Sequence, residues 1–269
     1  MNSSDMVVIY MRRLRVGGIV DLSTVDWYGN VSLVVFLSGC NFRCPYCQNM
    51  SLIRGDYGED LSLDALRKRI EVNISLLDSV VFSGGEPLLQ RDGLMEALEM
   101  VRSLGLKTMI ETNGSLPEVV ESLLQRALLD RVALDVKAPL EDEVYGRVIG
   151  VPALGGAAVN GVKKTLKICR GFGVEVEART TIVPKISDEP WFIRDIASSI
   201  RELCVAYQLQ QFDNLGDILS PELKMLTPPS RESMLKLAEE AVKEGVKEVY
   251  VKTRELGLER IKWGEIEHL

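Results

Sequence analysis

Three cysteines stand within eight residues of one another, in the run Cys40-Asn-Phe-Arg-Cys44-Pro-Tyr-Cys47. Thiolates crowded on one short segment can bind a soft metal ion or an iron–sulfur cluster. A zinc site normally takes four protein ligands, and no fourth Cys or His lies nearby in the sequence. Three thiolates on a four-iron cluster leave one iron open to another molecule. Spacing alone leaves three readings open: a cluster, a zinc ion, or unligated thiols. Cys169 and Cys204 stand alone, in a helical stripe and a strand-like run, where small buried cysteines are common. Five cysteines in 269 residues do not make a secreted disulfide scaffold. The single histidine, His268, is second from the end, which removes most zinc-hydrolase and Ser-His-Asp schemes.

Further polar words follow the triplet. Ser83-Gly84-Gly85-Glu86-Pro87 contains two glycines that can take positive φ and admit close backbone approach. Glu111-Thr112-Asn113-Gly114 and Asp135-Val136-Lys137 come next. Each word alone reads as ordinary turn chemistry. Together they put polar groups at the ends of successive strand-like runs, and in barrel folds that rim is where sites assemble. Arg179 opens Arg179-Thr-Thr-Ile-Val-Pro184 inside another apolar run. Pointing inward it needs a polar partner; pointing outward it is a surface arginine.

The elements that must position these groups are legible as alternation. Strand-like runs rich in Val, Ile, Leu and Phe are Val31–Leu37, Ser79–Phe82, Lys107–Glu111, Arg131–Lys137, Val174–Val183, Cys204–Phe212 and Lys247–Lys252. Helical stripes lie between them: Leu63 to Leu77 behind a Ser62 N-cap, Leu94 to Leu104, Leu116 to Leu124, Val162 to Cys169, Ile193 to Ile200, and Met234 to Val242. Such alternation implies parallel strands with right-handed crossovers, in an open doubly wound sheet or a full or partial β/α barrel. Residues 213–229, with Pro221, Pro228 and Pro229, read as a long loop. No repeat or low-complexity linker divides the chain, so one domain over 1–269 is the simplest account.

Composition bounds the function. Hydrophobic residues are 46% and charged residues 26%, enough for a sizeable core. The net charge of −7 argues against a chain-wide grip on nucleic acid. The apolar runs, such as Met6–Met11 and Leu33–Leu37, fall far short of the roughly 20 residues that span a bilayer. The N-terminus lacks the charged-then-apolar order of a signal peptide. The expectation is a cytoplasmic protein with no membrane partner.

The C-x3-C-x2-C run after the strand Val31–Leu37, followed in order by Gly-Gly-Glu-Pro, resembles the radical S-adenosylmethionine superfamily. The words Glu111-Thr-Asn-Gly, Asp135-Val-Lys137 and Arg179-Thr-Thr181, with Asn49 two residues after Cys47, resemble its glycyl-radical-enzyme activating branch. Within that branch the chain is most similar to anaerobic ribonucleoside-triphosphate reductase activating proteins. The likeness runs from about Asp26 to Phe212. It departs from the family at Tyr28, where Asp-x-Pro-Gly is usual, at Gln48, often His, and at Glu111, usually Asp.

The resemblance implies a partial (β/α)6 barrel as the core over about 26–212, with a loop, helix and strand over 213–269. It implies a [4Fe-4S] cluster on Cys40, Cys44 and Cys47 and S-adenosylmethionine bound beside it. Cofactor contacts are implied at Tyr46, Asn49, Gly84, Gly85, Glu86, Thr112, Asp135, Lys137, Arg179 and Thr181, with a monovalent cation nearby. The implied reaction is reductive cleavage of S-adenosylmethionine and formation of a glycyl radical on a partner, anaerobic ribonucleotide reductase, under anaerobic conditions. The implied electron donor is a ferredoxin or flavodoxin. Two rivals stand: a radical enzyme of the same fold acting on a small molecule or tRNA, and a zinc-stabilised binding protein without catalysis.

Overall fold

In the computed structural model of the chain, residues 13–261 are described; the run Met6–Met11 and His268 lie outside them. Strands β1 (Arg13–Ser23) and β2 (Ser32–Leu37) pair antiparallel. The cysteine loop leads into a one-turn helix, α1 (Met50–Ile53), and then β3 (Glu59–Ser62), which pairs antiparallel with β1. Helix and strand then alternate: α2 (Leu63–Val72), β4 (Ser79–Gly84), α3 (Arg91–Ser103), β5 (Lys107–Thr112), α4 (Pro117–Gln125) and β6 (Arg131–Asp135). Two helices follow, α5 (Asp142–Val148) and α6 (Gly155–Phe172). The chain continues with β7 (Glu175–Ile182), α7 (Pro190–Ile200), β8 (Ala206–Gln211), the short α8 (Pro221–Lys224), α9 (Arg231–Lys243), β9 (Val249–Thr253) and β10 (Gly257–Ile261).

The sheet order is β10-β9-β8-β7-β6-β5-β4-β2-β1-β3. Every pairing from β2 through β9 is parallel. Strands β2, β4, β5, β6, β7 and β8 are the six strands of the expected partial barrel, and β9 adds a seventh. The order is linear, so β3 and β10 are edges and the barrel does not close. Among the described residues no helix is long and apolar enough to cross a membrane.

Local chemistry accounts for the elements. Ser62 caps α2 by accepting from the Ala65 amide at 3.2 Å, and Ser230 caps α9 in the same way from Ser233. Pro117 and Pro190 occupy first-turn positions, where their missing N–H costs nothing. The central strands are nearly continuous apolar runs because helices cover one face and the lumen the other. Leu94, Ala97, Leu98 and Val101 bury one stripe of α3.

Side chains alternate along a strand, so one set of positions faces the lumen. Val34, Val81, Met109 and Ala133 form a buried cluster there, completed by Trp27. Trp27 comes from the β1–β2 connection, which crosses the unclosed side. The Asp26 carbonyl accepts from Arg179 Nη2 on β7 at 2.8 Å, and the Val25 carbonyl accepts from Lys252 Nζ on β9 at 3.2 Å. Two residues further along the same strands, towards the rim, the lumen positions are Ser83, Glu111 and Asp135.

Candidate active site

The parallel strands end together, with Leu37 beside Gly84, Thr112 beside Leu134, Asp135 beside Arg179 and Ile182 beside Gln211. The loops that leave them surround a cavity of about 220 Å³. Cys40, Cys44 and Cys47 form one wall, with Phe42, Tyr46 and Asn49. Gly84, Gly85, Thr112, Asp135, Lys137, Arg179 and Thr181 supply the rest, with Ser83, Glu111, Asn113, Gln210 and Gln211. Of the residues expected from the sequence, Glu86 alone does not line the cavity.

Glu86 has a different place. It is fully buried behind the wall, where its Oε1 accepts from the Leu88 amide at 3.1 Å and from Thr112 Oγ1 at 2.8 Å. Its Oε2 accepts from the Asn113 amide at 2.8 Å. It therefore ties the loop after β4 to the loop after β5. Its own amide donates to the Gly39 carbonyl at 2.7 Å, which ties both to the cysteine loop. Burial pushes the Glu86 carboxyl up from an ordinary 4.5 to about 7, against the pull of those three donors. The folded chain thus holds this proton where the unfolded chain has lost it. Its contribution to stability is present below about pH 4.5 and is lost as pH rises through 7. Glu86→Gln is expected to cost about 1–2 kcal/mol, because one acceptor becomes a donor facing a donor. It should also remove that part of the pH dependence. Urea unfolding of the iron-free chain at pH 5 and pH 8 checks both.

The two glycines explain the close approach of the loops. Gly84 has φ +122°, and a Cβ there would lie 2.2 Å from the Leu37 carbonyl oxygen. A Cβ on Gly85 would lie 2.1 Å from the Gly39 carbonyl oxygen. The neighbour that excludes a side chain is the end of β2 at Gly84 and the start of the cysteine loop at Gly85, not the interior of the cavity.

The cysteine loop is held from several sides. The Gly39 amide donates to Leu52 O at 2.7 Å, and the Arg43 amide to Ile149 O at 2.9 Å. Asn113 Nδ2 donates to Asn41 Oδ1 at 2.9 Å, and Asn41 Nδ2 to Ser115 Oγ at 2.8 Å. The segment read as a long loop over 213–229, which holds the one-turn α8, packs against it. Ser220 N donates to Pro45 O at 2.8 Å, Leu219 N to Cys47 O at 3.3 Å, and Gln48 Nε2 to Asp213 O at 2.7 Å.

Burial raises the Cys40 thiol and pushes Cys44 up to about 11. Binding of iron by these sulfurs therefore releases protons. A tetrahedral zinc gathers its sulfurs roughly 2.3 Å from one point. Such a site normally has four Cys or His ligands, and three cysteines line this cavity. Cys169 is buried on α6 and Cys204 precedes β8 rather than lying within it; neither lines the cavity. Three thiols on one loop, facing a cavity with its own polar wall, fit a multi-iron cluster with one position left for a small molecule.

The charged groups are paired. Lys137 Nζ donates to Asp135 Oδ2 at 3.0 Å. Burial alone would lower the Lys137 pKa, but the Asp135 carboxylate, with Tyr46 and Cys44, lifts it well above the ordinary range. Arg179 points inward and is 6% exposed. Its Nε donates to Glu177 Oε1 at 2.6 Å and its Nη1 to Glu111 Oε1. Ser83 Oγ donates to the other Glu111 oxygen at 2.6 Å. Glu111 is thus engaged by protein partners on both oxygens. Arg131, four residues before Asp135 on β6, pairs with Glu175 and Glu177 at 3.4 and 3.5 Å.

Glu177 and Gln210 escaped the reading of short motifs. The signal that finds them is the two-residue period: Glu177, Arg179 and Thr181 share the lumen face of β7, and Gln208 and Gln210 share that of β8.

A sequence profile described as the Radical SAM superfamily matches residues 34–195. A protein of Methanocaldococcus jannaschii assigned by name to the glycyl-radical enzyme activating enzymes is 37% identical over 232 residues, which cover 85% of this chain and 92% of its own. The pyruvate formate-lyase-activating enzyme of Clostridium pasteurianum is 32% identical over 193 residues, covering 70% and 77%. Among solved structures, a radical SAM methyltransferase from Sphaerobacter thermophilus superposes with a TM-score of 0.66 at 14% identity, over 84% of this chain and 67% of that one.

Proposed function

Because the chain belongs to the radical SAM superfamily, in its glycyl-radical-enzyme activating branch, we propose that it forms a glycyl radical on a partner protein, and that this partner is a class III anaerobic ribonucleotide reductase. Cys40, Cys44 and Cys47 would hold a [4Fe-4S] cluster, and the cavity beside them would take S-adenosylmethionine. When bound together, these groups supply one-electron reductive cleavage of a carbon–sulfur bond and removal of a hydrogen atom from the substrate.

The chain's own part is to bind, orient and exclude water. Gly84 and Gly85 let the β4 loop lie against the cysteine loop. Glu86 braces that contact from behind. Asp135 and Lys137 present a charge pair that suits the zwitterionic end of an amino acid. Thr112, Thr181 and Asn49 offer polar groups around the cavity, and Tyr46 an aromatic face. The Glu111–Arg179 pair closes the side towards the lumen; a monovalent cation would have to share Asp135 with Lys137.

The observation that carries the reading is the cysteine loop facing a polar cavity at the rim of an unclosed barrel. The cavity lies at the strand-end rim, above the layer filled by Trp27, and a glycine-bearing segment would reach it from there. Hydrogen-atom removal needs no side-chain base, which suits a cavity with no histidine among its described lining residues. An acidic chain does not favour a nucleic-acid substrate.

The test is electron paramagnetic resonance of the reconstituted protein mixed anaerobically with S-adenosylmethionine, a reductant and the reductase. A glycyl-type doublet is expected, and changing the partner's radical glycine to alanine should abolish it. A doublet on pyruvate formate-lyase alone would reassign the partner and keep the chemistry. 5′-Deoxyadenosine formed with a small molecule or tRNA, and no doublet, would favour the first rival.

A further inference from the structure

The cysteine loop has two faces. Cys44, Tyr46 and Cys47 line the cavity described above, whereas Pro45, between them, lines a second hollow of about 260 Å³ on the other side. This groove is walled by Arg147 of α5, Lys185 and Ile186 of the turn after β7, and Trp191 and Phe192 at the start of α7. Its charged lining is wholly cationic. Among the described residues neither the Arg147 guanidinium nor the Lys185 ammonium has a hydrogen-bond or ion-pair partner, and both residues are exposed. In that turn the half-buried Asp188 accepts from the Lys185 amide at 2.8 Å rather than pairing with the ammonium. Trp191 leaves a large apolar surface in solvent, at 43% exposure.

Lys185 is also strained. Its φ is +67°, a region that favours glycine, and it is held there by the Asp188 bond and the Ser187 hydroxyl, which accepts from the Val183 amide at 2.8 Å. What a lysine provides at this position, and glycine would not, is a positive charge at the mouth of the groove.

We propose that this groove is the docking face for the electron donor, a small one-electron carrier with an acidic rim around its exposed redox group. The proposal rests on the cluster reading above and adds the route of reduction. Unpaired cations on a chain of net charge −7 complement such a rim and steer its approach. A limited apolar and charged contact suits the small interfaces of transient electron-transfer encounters. Pro45 is bonded directly to Cys44, so a carrier seated here is separated from a cluster ligand by a single residue. One electron leaves the carrier's redox group and enters the cluster: the carrier is oxidised by one, the cluster reduced by one, and no atom is transferred. The cofactor cavity stays free on the opposite face of the loop.

The test compares wild type, Arg147→Glu and Lys185→Gly as reconstituted proteins, with reduced flavodoxin as the probe. Its dissociation constant is measured by anaerobic calorimetry, and cluster reduction by loss of visible absorbance. At low ionic strength we expect binding about tenfold weaker for Arg147→Glu and about threefold weaker for Lys185→Gly, with differences that shrink as salt rises. Reduction by flavodoxin should slow in parallel. Iron content, and reduction by photoreduced 5-deazariboflavin, should not change. Lys185→Gly should raise the melting temperature by relieving the backbone, which separates lost docking from lost folding. Unchanged flavodoxin affinity in both variants would overturn the proposal. So would equal slowing with both reductants, which means damage to the cysteine loop. Unchanged flavodoxin binding with loss of the glycyl doublet would also overturn it and assign the groove to the polypeptide substrate. A wild-type protein that takes up no iron would show instead that the cluster reading fails, and the docking face with it.

Discussion

Cys44→Ser is expected to leave the anaerobically reconstituted chain with almost no bound iron, and Cys40→Ser and Cys47→Ser to do the same. All three sulfurs face one cavity from one loop, and no other cysteine lines it. A serine hydroxyl stays protonated near neutral pH and is a far weaker ligand for iron than a thiolate. Cys169→Ser and Cys204→Ser should keep full iron, at the modest stability cost of placing a hydroxyl where a small apolar group packed. Metal analysis with visible absorbance reads the result. Full iron in Cys44→Ser, or its loss in Cys204→Ser, would refute the ligand assignment. Zinc in place of iron in the wild-type protein would revive the non-catalytic rival.

Gly85→Val should have an effect as large, by another route. The cofactor contact that the family resemblance implies at Gly85 would have a branched side chain block the cofactor and spare the cluster. The structure replaces that expectation, because the new Cβ would fall 2.1 Å from Gly39 O and 3.2 Å from Leu52 O, both backbone atoms. Neither can yield as a flexible side chain would. The Glu86 N to Gly39 O bond must break and the segment carrying Cys40 must move. We expect a stability loss of roughly 3 kcal/mol and failure to retain iron. Gly85→Ala should show a weaker form of both defects, since the clash begins at Cβ. A Val variant that keeps its iron, yet loses affinity for S-adenosylmethionine, would restore the original expectation.

The parts of this site legible in sequence were those that a short word encodes. Three cysteines at fixed spacing, a glycine pair and strand-end polar groups need no knowledge of their neighbours. The parallel strands were legible because burial on both faces makes them continuous apolar runs. β1 was not, because it is a half-exposed strand with Gly17 and Gly18 inside it and a register shift between Val16 and Gly18. β3 and β10 are short edge strands of mixed polarity, and α5 is two turns long, below the length at which a stripe declares itself. The α2 stripe over-ran its helix, which ends at Val72, because Ile74 and Leu77 continue the apolar spacing beyond its end. The direction of Arg179 and the place of Glu86 were undecidable, because each depends on partners from other strands and loops. Asp26 and Glu111, for example, lie 153 and 68 residues from Arg179.

The connection carrying Trp27 across the unclosed side also sets an order of events during synthesis. Residues 24–30 leave the ribosome early; Lys107 donates to Asn30, but the partners of Asp26 and Val25 are Arg179 and Lys252, 153 and 227 residues later. Until β7 emerges, Trp27 can meet Val34, Val81 and Met109 but has no anchor on the far wall. Until β9 emerges, the Val25 end of the crossing is loose. Contacts of such sequence separation slow folding, since the chain loses loop entropy before they form. The cysteine loop, translated within the first fifth of the chain, therefore waits beside an unfinished lumen. Its surroundings are complete only once residues 213–220 have been made, since Asp213, Leu219 and Ser220 bond to it.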